Sequence, residues 1–77
     1  MKLSEARKNK EFFINSIDID SNEELGIRLM HLGFLENEPI SVVNKTPISH
    51  DALLVNIKGT QIALTKYEAS LILIREA

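Results

Sequence analysis

The sequence predicts a mainly-β fold: a small, partly open five-stranded barrel with one α-helix between strands one and two and a short helical turn before the last strand. Three observations carry this. A single stretch combines helical spacing with both a start and a stop signal. Short runs rich in β-branched and aromatic residues recur through the rest of the chain. The connections are short and punctuated by isolated Gly, Pro and Asn. Five strands are too few for a sandwich with two full faces, but they suffice for a small barrel whose helix hides exposed edges.

The first strand is expected over residues 12–19, Phe-Phe-Ile-Asn-Ser-Ile-Asp-Ile. Phe13, Asn15, Ile17 and Ile19 share one face and Phe12, Ile14 and Ser16 the other, so both faces are partly covered. A helix follows, with Ser21 as N-cap and Glu24 three residues on completing a capping box. Glu23 and Glu24 place negative charge at the positive end of the helix dipole. Leu25, Leu29 and Leu32 form one apolar stripe. Gly33 stops the helix as its left-handed C′ residue, and Phe34 folds back against Leu29 in a Schellman motif. Burying three leucines would contribute up to about 5–9 kcal/mol before entropy is subtracted.

Leu35-Glu36-Asn37-Glu38 reads as a turn with Asn37 left-handed. Ile40, Val42 and Val43 begin a strand that ends before Thr46-Pro47, and residues 48–51 form a loop. Leu53, Val55 and Ile57 alternate with Leu54, Asn56 and Lys58 as a half-buried strand. Lys58-Gly59-Thr60-Gln61 is a tight hairpin turn, and Ile62-Ala63-Leu64 is the returning strand. Thr65 opens a short helical turn through Tyr67-Glu68-Ala69, and Leu71-Ile72-Leu73-Ile74 closes the fold.

With 77 residues the chain is a single domain, 1–77, that buries only about 60–65% of its unfolded surface. Hydrophobic residues make up 44%, too many for a disordered segment. There is no cysteine, which excludes disulfides and a thiolate zinc site and suits a reducing cytoplasm. The longest apolar stretch, Leu71 to Ile74, is far short of a membrane span, and no apolar segment of signal-peptide type follows the N-terminal cations. Direct membrane insertion is therefore not expected. The net charge of −2 and an aromatic content of 5% disfavour nucleic acid as a partner, because phosphate neutralisation and base stacking need the opposite. Positive charge gathers at Lys2, Arg7, Lys8 and Lys10, and negative charge at Asp18, Asp20, Glu23, Glu24, Glu36 and Glu38, a dipolar surface suited to orienting a partner protein.

No catalytic constellation is read. His31 and His50 lie on different elements, and adjacent Ser49-His50-Asp51 cannot form a nucleophile–base–orienter relay. There is no glycine-rich phosphate loop. Asp18 and Asp20, on one strand face, and Glu23 offer hard oxygens, but a strand end and a helix-dipole cluster account for them. No metal site and no cofactor are expected. His31, in the last helical turn, favours the negative end of the dipole, and Arg28 suits an interface or a surface ion pair with Glu24. The partner surface is expected at apolar residues that neither the stripe nor the strand alternation sends inward: Met30, Leu35 and Leu54, with Phe34 divided between surface and core. Arg28, His31 and Tyr67 complete it. An unpaired strand edge is a place where two copies can associate weakly.

Arg28-Leu29-x-x-Leu32-Gly33-Phe34, a turn and Ile40-x-Val42 resemble the helix-to-strand signature of the ferrous iron transport protein A (FeoA) family. Gly59-Thr60-Gln61-Ile62-Ala63-Leu64, Glu68-Ala69 and Ile72-x-Ile74 resemble its C-terminal half, and Leu3-Ser4-Glu5 its start. Lys8-Asn9 stands where the family often has Pro-Gly, and Asn37 where a glycine is usual; both asparagines tolerate a left-handed backbone. The loop around Ser49-His50-Asp51 departs further. The resemblance implies an SH3-like barrel in the cytoplasm that binds the cytosolic portion of the GTP-hydrolysing iron permease FeoB and assists or regulates it. A similar domain ends metal-dependent repressors, which gives the alternative of a regulatory interaction domain. The link to iron rests on this resemblance.

Overall fold

The computed structural model describes residues 1–45 and 52–77. A 3₁₀ turn at Leu3–Glu5 precedes β1 (Glu11–Ile17), α1 (Glu23–His31), β2 (Pro39–Lys45), β3 (Ala52–Ile57), β4 (Thr60–Thr65), α2 (Lys66–Ser70) and β5 (Ile72–Glu76). The expected strand end at Thr46-Pro47, the loop at 48–51 and His50 lie outside the described residues. The strands make one antiparallel sheet in the order β4-β3-β2-β1-β5, coiled as an SH3-like barrel whose hydrogen-bonded ladder does not close. Register shifts, each adding one residue, interrupt β1 between Ile14 and Ser16 and β2 between Val42 and Asn44; bulges of this kind bend and twist the strands.

Alternation sets the core. Phe12 and Ile14 of β1, Ile40 and Val42 of β2, Leu53, Val55 and Ile57 of β3 and Leu64 of β4 point inward and are buried, with Ile72 and Ile74 of β5, Leu29 of α1 and Ala69 of α2. Leu3 and Ala6 of the N-terminal segment are also fully buried, so the residues ahead of β1 belong to the core. Met1 and Lys2 run along the free side of β5: Lys2 bridges Leu73, and the Ile74 N–H donates to the Met1 carbonyl at 2.7 Å. One edge of the sheet is thereby covered.

Several local expectations are met at atomic detail. Gly33 is left-handed, φ +104°. The Phe34 N–H donates to the Leu29 carbonyl at 3.2 Å and the Gly33 N–H to the Met30 carbonyl at 3.0 Å, the two bonds of a Schellman motif. Phe34 is fully buried, like Leu29. Asn9 and Asn37 both take positive φ, 63° and 70°.

Others are corrected. Asn22, not Ser21, caps α1: its Oδ1 accepts from the Leu25 N–H at 3.1 Å. Ser21 is held by Asp18, whose carboxylate accepts from the Ser21 N–H and hydroxyl. β1 ends at Ile17, so Asp18 and Asp20 do not share a strand face. Leu32 is 49% exposed and Leu25 only partly buried; Gly26 takes the inward position instead. A Cβ there would lie 3.2 Å from the Ile19 Cα, so glycine is what lets α1 sit against the chain after β1. The β3–β4 turn is two residues, Lys58-Gly59, with φ 52° and 75°, and Ile57 pairs with Thr60, the geometry of a type I′ hairpin. Thr65 and Glu68 form a reciprocal capping box on α2, and Leu71 caps that helix rather than opening β5.

Candidate functional site

The second half of α1 and the turn after it carry the most distinctive surface. With Leu25, Gly26 and Leu29 facing the sheet, the 100° step per residue turns Ile27 outward and leaves Met30 at the flank, three residues on along the same side. Ile27 is 41%, Met30 36% and Leu35 41% exposed. Met30 and Leu35 line an open groove of about 250 Å³ with Ser16, Ile17, Ile19 and Glu36, floored by Phe34. The Schellman reversal makes this possible. It turns the chain sharply at Gly33, drives Phe34 inward and returns Leu35 to the surface beside Met30.

The sequence-expected site residues do not all meet here. Met30 and Leu35 share the groove. Arg28 and His31 are exposed on the same helix, and Arg28 forms no ion pair with Glu24 or any other described residue. Tyr67, 53% exposed on α2, accepts a long 3.4 Å bond from Asn22 Nδ2 at the opposite end of α1, roughly 13 Å along the helix. Leu54 sits elsewhere. It is half-buried on the outer face of β3 and lines a second recess with Asn44, Ala52, Leu53 and Ala63. Sequence reasoning missed Ile27, Ile17 and Ile19. The helical wheel holds the signal for Ile27, which lies opposite the Leu25–Leu29 line.

What this surface offers chemically is apolar contact. No buried polar or charged side chain occurs among the described residues, nor any group of three or more His, Asp or Glu able to hold a metal ion. No helix among them is long and apolar enough to cross a membrane. Away from the groove, Arg75 donates to Asn37 Oδ1 at 2.6 Å and to the Ile14 carbonyl at 3.3 Å, while its guanidinium lies over the Phe13 ring at 5.5 Å. That side chain fastens the left-handed turn at Asn37 to β1 and β5.

A coiled five-stranded sheet with a capped helix after β1 and an apolar groove beside it defines a small SH3-like domain. The FeoA domain family matches the chain over residues 1–76, and the chain belongs to that family, which ties it to ferrous iron transport. The crystal structure of Stenotrophomonas maltophilia FeoA complexed with zinc, described as an SH3 domain protein possibly acting as a ferrous iron transport activating factor, is similar. It shares 32% identity over 96% of this chain and 88% of that one, with a TM-score of 0.83. The solution structure of FeoA from Chlorobium tepidum shares 26% identity over 99% and 70%, TM-score 0.84. A manganese-dependent transcriptional repressor shares the fold, with 14% identity over all of this chain and 41% of that one, TM-score 0.88. No curated protein sequence matches at a significant level.

Proposed function

We propose that this chain is a non-enzymatic, cytosolic accessory of ferrous iron uptake that binds the cytosolic portion of the FeoB permease through the apolar surface beside α1 and assists or regulates it. The observation that carries this reading is the exposure of Met30 and Leu35 along the groove floored by Phe34, with Ile27 exposed three residues before Met30 on the same helix. Apolar area left in water forgoes about 25 cal/mol per Å² of burial, and a contiguous patch of this kind commonly marks a partner site. Arg28 and His31, exposed on the same helix, would supply polar contacts, and the acidic run from Asp18 to Glu24 favours a partner face with positive charge. Tyr67 and Leu54 are secondary contacts at most, since the fold sets them apart from the groove. Iron is the permease's cargo in this reading, and the chain does not touch it.

Co-precipitation of the full chain with the permease's cytosolic portion, with and without guanine nucleotide, tests the reading. Association should weaken by about tenfold or more, some 1.4 kcal/mol, in the double variant Met30→Glu/Leu35→Glu and stay unchanged in Asn56→Asp on β3. A parent chain that fails to associate in either nucleotide state defeats the proposal. The alternative, a regulatory interaction domain related to the C-terminal SH3-like domain of metal-dependent repressors, is supported by likeness of fold alone.

A further inference from the structure

The two edges of the sheet are treated differently. β5 is covered by Met1 and Lys2 and ends in the charged pair Arg75-Glu76. β4 is not covered: among the described residues its only strand neighbour is β3. The type I′ turn fixes which of its groups are free. Ile57 and Thr60 flank the two-residue turn as a hydrogen-bonded pair, so Thr60, Ile62 and Leu64 bond toward β3. The N–H and C=O of Gln61 and Ala63 therefore point away from the sheet, and both residues are exposed. The Thr65 N–H is spent on the Glu68 carboxylate at 2.8 Å.

Natural edges are usually blunted by charge, proline or a bulge. Here the strand reads Thr-Gln-Ile-Ala-Leu-Thr, with no charge and no proline, and its ladder to β3 runs without a register shift from Ile57–Thr60 to Ala52–Thr65. We propose that β4 is a self-association edge, on which a second copy of this chain adds its own β4 antiparallel to make one continuous sheet across a two-fold axis. The sequence is self-complementary about Ile62. Gln61 of each copy faces Ala63 of the other, each exchanging the backbone bonds left free, and the two half-buried Ile62 side chains lie side by side on the inner face. A β-branched pair on one face is a favourable cross-strand neighbour, and residues 60–65 carry no charge; Lys58 of each copy falls opposite Lys66 of the other at the two ends of the contact, a repulsion that salt screens. A single added strand covers less than a standard interface, so the dimer is weak. It does not depend on the permease reading.

Sedimentation equilibrium of the full chain from about 10 μM to about 1 mM should show the mass rising from 8.7 kDa toward twice that value. Ile62→Lys, which puts like charges together at the axis, should weaken association about tenfold or more. Ala63→Lys keeps the β3 ladder intact and should do the same, so the test survives if the first variant folds poorly. Amide exchange at Gln61 and Ala63 should slow as concentration rises. Pairing along an uncharged edge should hold between about 50 mM and about 500 mM salt, whereas head-to-tail attraction of the basic and acidic ends would dissolve. A chain that stays monomeric throughout overturns the proposal. So does a dimer that salt disperses, or one that both folded variants leave intact.

Discussion

Three left-handed residues outside the hairpin decide where this chain turns, and each is chosen differently. Gly33 sits at φ +104°, with open space where a Cβ would be; only backbone strain, not crowding, forbids a side chain. Asn37 accepts the same region at φ 70° and adds a side-chain carbonyl that receives Arg75, a bond a glycine could not make. Asn9 at φ 63° donates its N–H to the Val42 carbonyl at 2.8 Å, anchoring the loop before β1 to β2. Gly33→Ala should therefore lower stability by about 1–2 kcal/mol through left-handed strain alone. Urea unfolding checks this: an unchanged slope with a lower midpoint is expected, and an unchanged midpoint would mean the helix end relaxes to another cap.

Among the elements, α1 is attached more lightly than a three-leucine stripe implies. Leu29 is fully buried, Leu25 partly, and Leu32 faces water. Burial of the helix then rests mainly on one leucine, about 1.5–3 kcal/mol, together with the close approach at Gly26 and the inward Phe34. Leu29→Ala should cost about 2–5 kcal/mol, because its cavity lies under a helix that also holds Phe34 in place. Against a total stability of about 5 kcal/mol or a little more for a domain this small, a thermal melt should show most of the chain unfolded at 37 °C. A cooperative melt close to the parent's would mean that the site collapses around the smaller side chain. α2 shows the opposite economy. Its five residues are too few for independent stability, and a reciprocal cap and buried Ala69 hold it between β4 and β5.

The chain ends meet across the whole molecule. Met1 and Lys2 run beside β5, and Lys10 pairs with Glu76 while lying over the Phe12 ring at 5.5 Å. The radius of gyration, 11.1 Å, is close to the roughly 11.5 Å of a compact chain of this length, so the N-terminal segment is packed in rather than trailing. The hydrogen bond and charge of Lys10 hold the Glu76 carboxyl below its usual value of 4.5. A carboxylate lowered on folding lends stability at pH above its unfolded value and loses it as pH falls through the lower folded value. Both groups are well exposed, so solvent screens the effect to a small one. An NMR titration should place the Glu76 midpoint below 4.5 and return it to the ordinary range in Lys10→Met. A midpoint that does not move would mean the pair is not held in solution.

By itself the sequence determined whatever depends on neighbours a few residues apart. The Gly33–Phe34 reversal, the left-handed asparagines, the inward alternation of Leu53, Val55 and Ile57 and the turn before β5 are local conformational choices, legible without the fold. So was part of the candidate site, since Met30 and Leu35 fall outside the α1 stripe. Only the tertiary structure decided the rest. Ser21 and Asn22 are both good caps, and the bond from Ser21 to Asp18 hands the role to Asn22. Leu32 lies near the apolar side of the helical wheel, yet as the C-cap it is 49% exposed. Bulges in β1 and β2 reset which side chains face in, and no spacing rule foresees a bulge. The groove joins Ile17 and Ile19 to Met30 because Gly26 lets the helix close on them, and the N-terminus covers the β5 edge. Contacts between distant segments depend on which surfaces the finished fold brings together, and that is written in no single stretch of the chain.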